Sequence, residues 1–177
     1  ADANQLLESI KGYQIKYASD IIPSDEKIHA EIMYNKYDIF RNLFMYYFLA
    51  GLLFFIFIIL NIFSENKSIH NFMKYIFIIF RSSIVLLFIA HTLGLIARWY
   101  ISGHAPWGDA YESMIYVAWA TMGIGLLFIK KSDLTLASTS FVTSMILMIA
   151  HWNWMDPSIA NLVPVLNSYW LMIHVSV

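Results

Sequence analysis

The sequence runs to 177 residues, of which 59% are hydrophobic, 17% aromatic and only 13% charged, against about 25% charged residues in a soluble domain. A water-soluble chain could not hide that much apolar surface, since a domain of about 150 residues still exposes roughly a third of it, so composition points to a membrane protein. The formal charge of −1 argues against nucleic acid as a partner, and the lack of cysteine excludes a disulfide framework, a thiolate metal site and a cysteine nucleophile in this stretch, leaving histidine as the strong metal or heme ligand.

Residues 1–42 hold 12 of the 23 charged residues. Two helices are expected here, near 3–19 and 25–40, separated by Pro23 and Ser24. Ser24 suits an N-cap, with Asp25 and Glu26 in the first turn. This part reads as an extramembrane helical segment leading into the bilayer. Residues 43–63 then form a charge-free run, enough to cross about 30 Å of hydrocarbon. A polar turn follows at 64–74, and a second span at 75–97 is interrupted by Arg81 and His91. A loop rich in aromatic and turn residues covers 98–113. A third span is expected at 114–129, a tight turn at 130–133 and a fourth span at 134–151. A loop at 152–167 leads to a fifth span opening near 168.

The chain starts at Ala1 with no cleavable signal pattern and stops at Val177 inside the apolar run 169–177. A helix cannot end in hydrocarbon with its last carbonyls unpaired, so the chain reads as an internal segment of a longer polypeptide. The expected fold class is all-α, a polytopic membrane helix bundle with a helical periplasmic N-terminal segment. It comprises residues 1–42 and a membrane domain at 43–177 with four complete spans and the start of a fifth.

Lys and Arg in the short loops set the orientation. Lys67, Lys74 and a snorkelling Arg81 lie on one side with Lys130 and Lys131, and only Arg98 lies on the other. The turns at 64–74 and 130–133 are therefore placed in the cytoplasm. The N-terminal segment and the loops at 98–113 and 152–167 face the periplasm. Trp99, Trp107, Trp152 and Trp154 sit in those outer loops as an interfacial belt would.

Six histidines are available. His29 and His70 read as solvated side chains, while His91, His104, His151 and His174 all fall in the outer half. An ionisable group within a span usually faces protein or a cavity. For His91 the structural reading is a neutral imidazole bonded to a neighbouring helix, and the functional reading is a ligand. For His174 ligand and packing roles stand level. Asp109 and Glu112 read as a capping box opening the third span rather than as paired catalytic acids. The run 152–157, with Trp152, Trp154, Asp156 and Pro157, reads either as interfacial tryptophans and a turn or as an aromatic floor for a planar macrocycle.

Two stretches carry a family resemblance. The run His91–Thr121, including Arg98-Trp-Tyr-Ile-Ser-Gly-His-Ala-Pro-Trp-Gly-Asp109, and the run Asn161–His174 resemble the bacterial System II cytochrome c synthetase of the CcsBA type, a fusion of CcsB and CcsA. Residues 31–38 look like the end of the CcsB-type periplasmic region, and 43–177 like the CcsA-type membrane domain. The resemblance implies a heme lyase that brings heme b, its substrate and bound cofactor, to the periplasmic face. There it attaches the heme vinyl groups to the CxxCH motif of apocytochrome c. The partners implied are heme, apocytochrome c, the lipid bilayer and the rest of the same polypeptide.

The family's first periplasmic heme-ligating histidine maps onto His174, which the resemblance makes an axial ligand of the heme iron. Trp154 and Trp170 are candidate heme contacts. Arg98, judged by charge and side, is a candidate partner for a heme propionate. The family's Trp-Gly-x-x-Trp-x-Trp-Asp segment is absent here, and it and the second axial histidine are expected beyond Val177. The competing reading is a heme- or quinone-binding electron-transfer subunit, a cytochrome b-like bundle, in which His91 and His174 would pair at similar depth.

Overall fold

The computed structural model describes residues 2–17, 22–64, 67–152 and 155–159. The described residues contain six helices and no strand: α1 (Ala3–Tyr17), α2 (Asp25–Tyr37), α3 (Ile39–Phe63), α4 (Lys67–Ser102), α5 (Ala110–Leu127) and α6 (Asp133–Ala150). The expected all-α membrane bundle is therefore what is found. The fifth span expected near 168 lies outside the described residues.

The sequence expected α2 to run to about 40 and the first span to start at 43. Instead the chain turns at Asp38 and α3 begins at Ile39. Asp38 adopts φ 40° and ψ 58°, a left-handed conformation in which Asp and Asn are enriched among non-glycine residues. Its N–H closes α2 onto the Tyr34 carbonyl at 3.2 Å, and the Asn42 amide donates to the Tyr37 carbonyl at 2.7 Å. The orphan carbonyls of α2 are thus satisfied at a kink rather than at a loop.

The polar turn expected at 64–74 and the loop expected at 98–113 are both shorter than the sequence suggested. Helix α4 takes up residues 67–102. At 1.5 Å per residue its 36 residues span about 54 Å, well beyond a hydrocarbon core of about 30 Å. Polar residues such as Asn71 and Lys74 end an apolar run without breaking a helix, because each keeps its backbone N–H and costs less than about 1 kcal/mol in a helix interior.

Three described helical stretches are long and apolar enough to cross a membrane: Asp25–Phe63 through its kink, Ile69–Ser102 and Asp133–Ala150. Helix α5 has 18 residues and carries Glu112 in its first turn, which lowers its apolar character.

Helix α3 packs closely on α6. The Ser140 hydroxyl donates to the Tyr47 carbonyl at 3.0 Å. A Cβ at Gly51 would lie 2.9 Å from the Phe141 backbone nitrogen, so glycine is what lets the two backbones approach. Helix α5 lies on the other side of α6, with Thr143 donating to the Ala118 carbonyl at 3.5 Å. Phe54 of α3 stacks on Phe80 of α4 at 5.2 Å. Phe40, Tyr47, Phe54, Ile84, Ile115 and Leu147 anchor the common core. Many outward-facing side chains, such as Phe63, Ile79, Leu86 and Leu127, are large and apolar, as a lipid-facing surface requires. Helix α1 buries nothing.

Candidate functional site

Two ends of the bundle differ in chemistry. At one end, Arg81 makes a two-pronged ion pair with Asp133 in the first turn of α6, at 2.6 and 2.8 Å. Placed by the sequence on the side of the 64–74 and 130–133 turns, it reaches Asp133 of the second turn and so ties α4 to α6. His70 pairs with Asn61 at 3.1 Å at this end.

The opposite end gathers the α2–α3 kink, the C-terminus of α4, the N-terminus of α5, the end of α6 and residues 155–159. At its centre is Arg98, with 0% exposure. Its Nε donates to Glu112 Oε1 at 2.8 Å, its Nη1 to the Pro157 carbonyl at 2.9 Å and its Nη2 to the Ser158 carbonyl at 3.1 Å. Asp109 lies 3.8 Å from Nη2, and the Tyr111 ring lies 5.1 Å from the guanidinium carbon. A buried guanidinium is tolerated only when its donors are met in this way. A heme propionate, the contact expected for Arg98 from the sequence, would have to displace these protein acceptors.

Glu112 is 2% exposed. Its Oε2 accepts from the Gly108 N–H at 2.7 Å, while its own N–H donates to Asp109 Oδ1 at 2.6 Å. Asp109 is thus the expected N-cap of α5. In a capping box the acid reaches back to the N-cap N–H; here it reaches the residue before, and its other oxygen holds Arg98. Asp156 accepts from the Ser158 N–H at 2.9 Å, a contact that holds its exposed carboxyl below the usual pKa range. With Pro157 between them, this contact bends the chain at 156–158, where the Pro157 and Ser158 carbonyls meet Arg98.

Three of the outer-half histidines lie in the described residues. His91 is completely buried. Its Nε2 bonds the Ile115 carbonyl of α5 at 3.1 Å, and Phe40 and Tyr47 pack against its ring at 5.4 and 6.0 Å. This is the interhelical contact of the structural reading, with no open space beside the ring for a macrocycle. His151 directs Nδ1 to the Leu147 carbonyl at 3.1 Å and Nε2 to Asp38 at 3.4 Å. His104 bonds the Ala105 carbonyl through Nδ1 at 3.1 Å, and its Nε2 is buried. Both ring nitrogens of His151 are engaged, whereas His91 Nδ1 and His104 Nε2 are buried with no hydrogen-bond partner among the described residues. Trp154, Trp170 and His174 lie outside the described residues.

Cavities open at this end among the described residues, and two of them frame the site. One, of about 350 Å³, lies between Tyr34, Asp38, Tyr111, His151 and residues 156–158. The second, of about 210 Å³, is walled by Trp99, Trp107, Tyr116 and Trp119 with Pro106. Trp119 is fixed by its indole N–H donating to Thr92 at 2.9 Å and by stacking on Phe88 at 5.6 Å. The outer tryptophans thus include an ordered aromatic wall between α4 and α5. Sequence reasoning missed two features here: the Asp38–His151 pair and the two backbone acceptors of Arg98. Neither has a local signal, since each joins residues far apart in the chain.

No protein-family model matches the chain. It is 39% identical to Protein NrfI of Wolinella succinogenes over 173 residues, covering 98% of this chain and 19% of that protein. It is 33% identical to the cytochrome c biogenesis protein CcsA of Lotus japonicus over 109 residues, 54% of this chain and 31% of the relative. It is 35% identical to CcsA of a Prochlorococcus marinus strain over 132 residues, 72% of this chain and 41% of the relative. The chain therefore spans less than half the length of each of these curated relatives.

Proposed function

On the premise that this chain is a relative of the CcsA-type cytochrome c biogenesis proteins of System II, we propose that it forms part of a heme-handling membrane domain that attaches heme to apocytochrome c. The identity to the cytochrome c biogenesis proteins CcsA is the observation that carries this reading. The end of the bundle holding Arg98, Glu112 and the aromatic wall faces the periplasm, and the end holding Arg81 and Asp133 faces the cytoplasm of a bacterial inner membrane. Helix α5 is the third of four complete spans, and residues 1–42 are the periplasmic approach.

Heme is the substrate. His174 is an axial ligand of its iron through a neutral imidazole, and Trp154 and Trp170 lie against the macrocycle. The second ligand comes from the rest of the polypeptide. Each CxxCH thiol adds its S–H across a vinyl double bond, with sulfur and hydrogen going to the two vinyl carbons, so no oxidant is consumed. The protein's contribution is to hold the heme flat, oriented and open to the thiols, which is catalysis by positioning.

The alternative cytochrome b-like pairing of His91 with His174 has against it the packing of His91 between Phe40, Tyr47 and the Ile115 carbonyl. The test is co-expression of the full-length protein with an apocytochrome carrying CxxCH or AxxAH. Covalent heme is expected on the first alone; no covalent heme on either would overturn the reading.

A further inference from the structure

Helices α3 and α6 share a seam whose outward side carries two cavities. One, of about 300 Å³, is lined by Gly51 and Ala137 together with Leu52, Phe55, Phe141 and Val142, and Ser138 adds a hydroxyl. Gly51 and Ala137 are buried while the four larger side chains are exposed, so small residues make the floor and large ones the walls. The second, of about 270 Å³, lies nearer the Arg98 end and is lined by Arg41, Phe44, Met148, His151 and Trp152. Arg41, Phe44, Phe48, Leu52 and Phe55 recur every three or four residues, which puts them on one face of α3. Phe48 meets Phe141 of α6 at 5.7 Å between the two cavities. The result is one groove, apolar along its length and cationic at its end.

Charge and length together identify what fills it. The Arg41 side chain is 72% exposed, with the Asp38 carboxylate at 3.9 Å. A guanidinium has several N–H donors in a fork, so one carboxylate at that distance leaves donors for two oxygens of a phosphate. Trp152 beside it suits the level of the headgroups. Arg41 and Phe55 lie about 21 Å apart along α3, at about 1.5 Å per residue. Half of a bilayer about 40–45 Å thick with its headgroups is about 20–22 Å, the depth from headgroup to midplane. The floor is also where the two backbones meet, since a Cβ at Gly51 would stand 2.9 Å from the Phe141 nitrogen. A crease of that kind takes a thin acyl chain, not a helix about 10–12 Å across.

We propose that the α3–α6 groove binds a phospholipid of the leaflet at the Arg98 end, with its phosphate on Arg41 and an acyl chain over Gly51 and Ala137. The site is separate from the proposed heme chemistry and does not depend on it.

The test uses the full-length protein, delipidated in detergent and titrated with phosphatidylglycerol, with bound lipid read by native mass spectrometry. Arg41→Gln removes the phosphate contact. Ser138→Phe fills the groove from an exposed position. Leu53→Phe adds similar bulk at an exposed α3 position outside the groove lining. Gel filtration and circular dichroism check the fold of each.

The expected result is a lipid adduct on the wild type and on L53F, binding weakened roughly fivefold in R41Q, and no adduct on S138F. Inorganic phosphate should not displace the lipid. The inference is overturned if the wild type takes up no lipid, if either R41Q or a folded S138F binds as the wild type does, or if L53F loses the adduct too. Wild-type binding by both R41Q and S138F would put the lipid elsewhere and leave the groove to another helix of the polypeptide. Displacement by inorganic phosphate would reduce the site to an anion contact and also overturn the inference. Should S138F fail to accumulate, R41Q decides alone.

Discussion

Arg98, near the end of α4, and Glu112, in the first turn of α5, meet at 2.8 Å with both side chains shielded from solvent. Breaking such a pair from one side strands a buried charge, which costs about 3–5 kcal/mol. Glu112→Ala is therefore expected to lower thermal stability in detergent far more than R98M/E112L. Equal losses for the two variants would mean that the pair is not desolvated in the membrane-embedded protein.

His91 is expected to behave as packing rather than as a ligand. His91→Ala removes the bond to the Ile115 carbonyl and the ring contacts with Phe40 and Tyr47, a loss on the order of 1–3 kcal/mol. Melting temperature should fall while the heme spectrum of the full-length protein stays unchanged. Loss of the spectrum in a folded variant would return His91 to the list of ligands.

His174→Ala is expected to do the reverse. Helical content and yield should hold while heme binding or cytochrome c synthesis is lost, and added imidazole should recover either by filling the vacant iron position. Wild-type synthesis without imidazole would count against an axial role.

Gly51 separates two backbones rather than serving a turn. A methyl group there would sit 2.9 Å from the Phe141 nitrogen and 3.0 Å from the Ala137 carbonyl oxygen, and backbone cannot rotate away. Gly51→Ala should destabilise by about 1–3 kcal/mol as α3 is pushed off α6. Gly12→Ala, on exposed α1 with nothing within 4 Å, should instead be neutral or raise local helicity, by up to about 1 kcal/mol. Circular dichroism melts of the two variants make the comparison.

Orientation is open to direct labelling. Single cysteines at positions 70 and 132 should resist an impermeant thiol reagent added from the periplasmic side, and cysteines at 104 and 156 should react with it. The opposite pattern would invert the bundle and put Arg98 and its carbonyl partners on the cytoplasmic face.

The sequence alone determined the class of protein and the order of its helices, because a bilayer demands long apolar runs and leaves few places for charge. It also showed the caps of α2 and α5, Ser24 and Asp109, since capping is a contact across three residues. The lengths of α4 and α2 were less legible: helix continuity depends on backbone conformation, while the apolar run reports only where lipid ends.

Tertiary structure decided the rest. A lone Arg98 near the end of a span reads as an exposed cation, and only the folded chain brings Glu112 and two distant carbonyls around it. His91 likewise carries no local mark that separates a ligand from a packed imidazole. Its surroundings, Phe40, Tyr47 and the Ile115 carbonyl on two other helices, come only from the fold. Buried polar groups are assigned by the partners that satisfy them, and those partners lie far away along the chain.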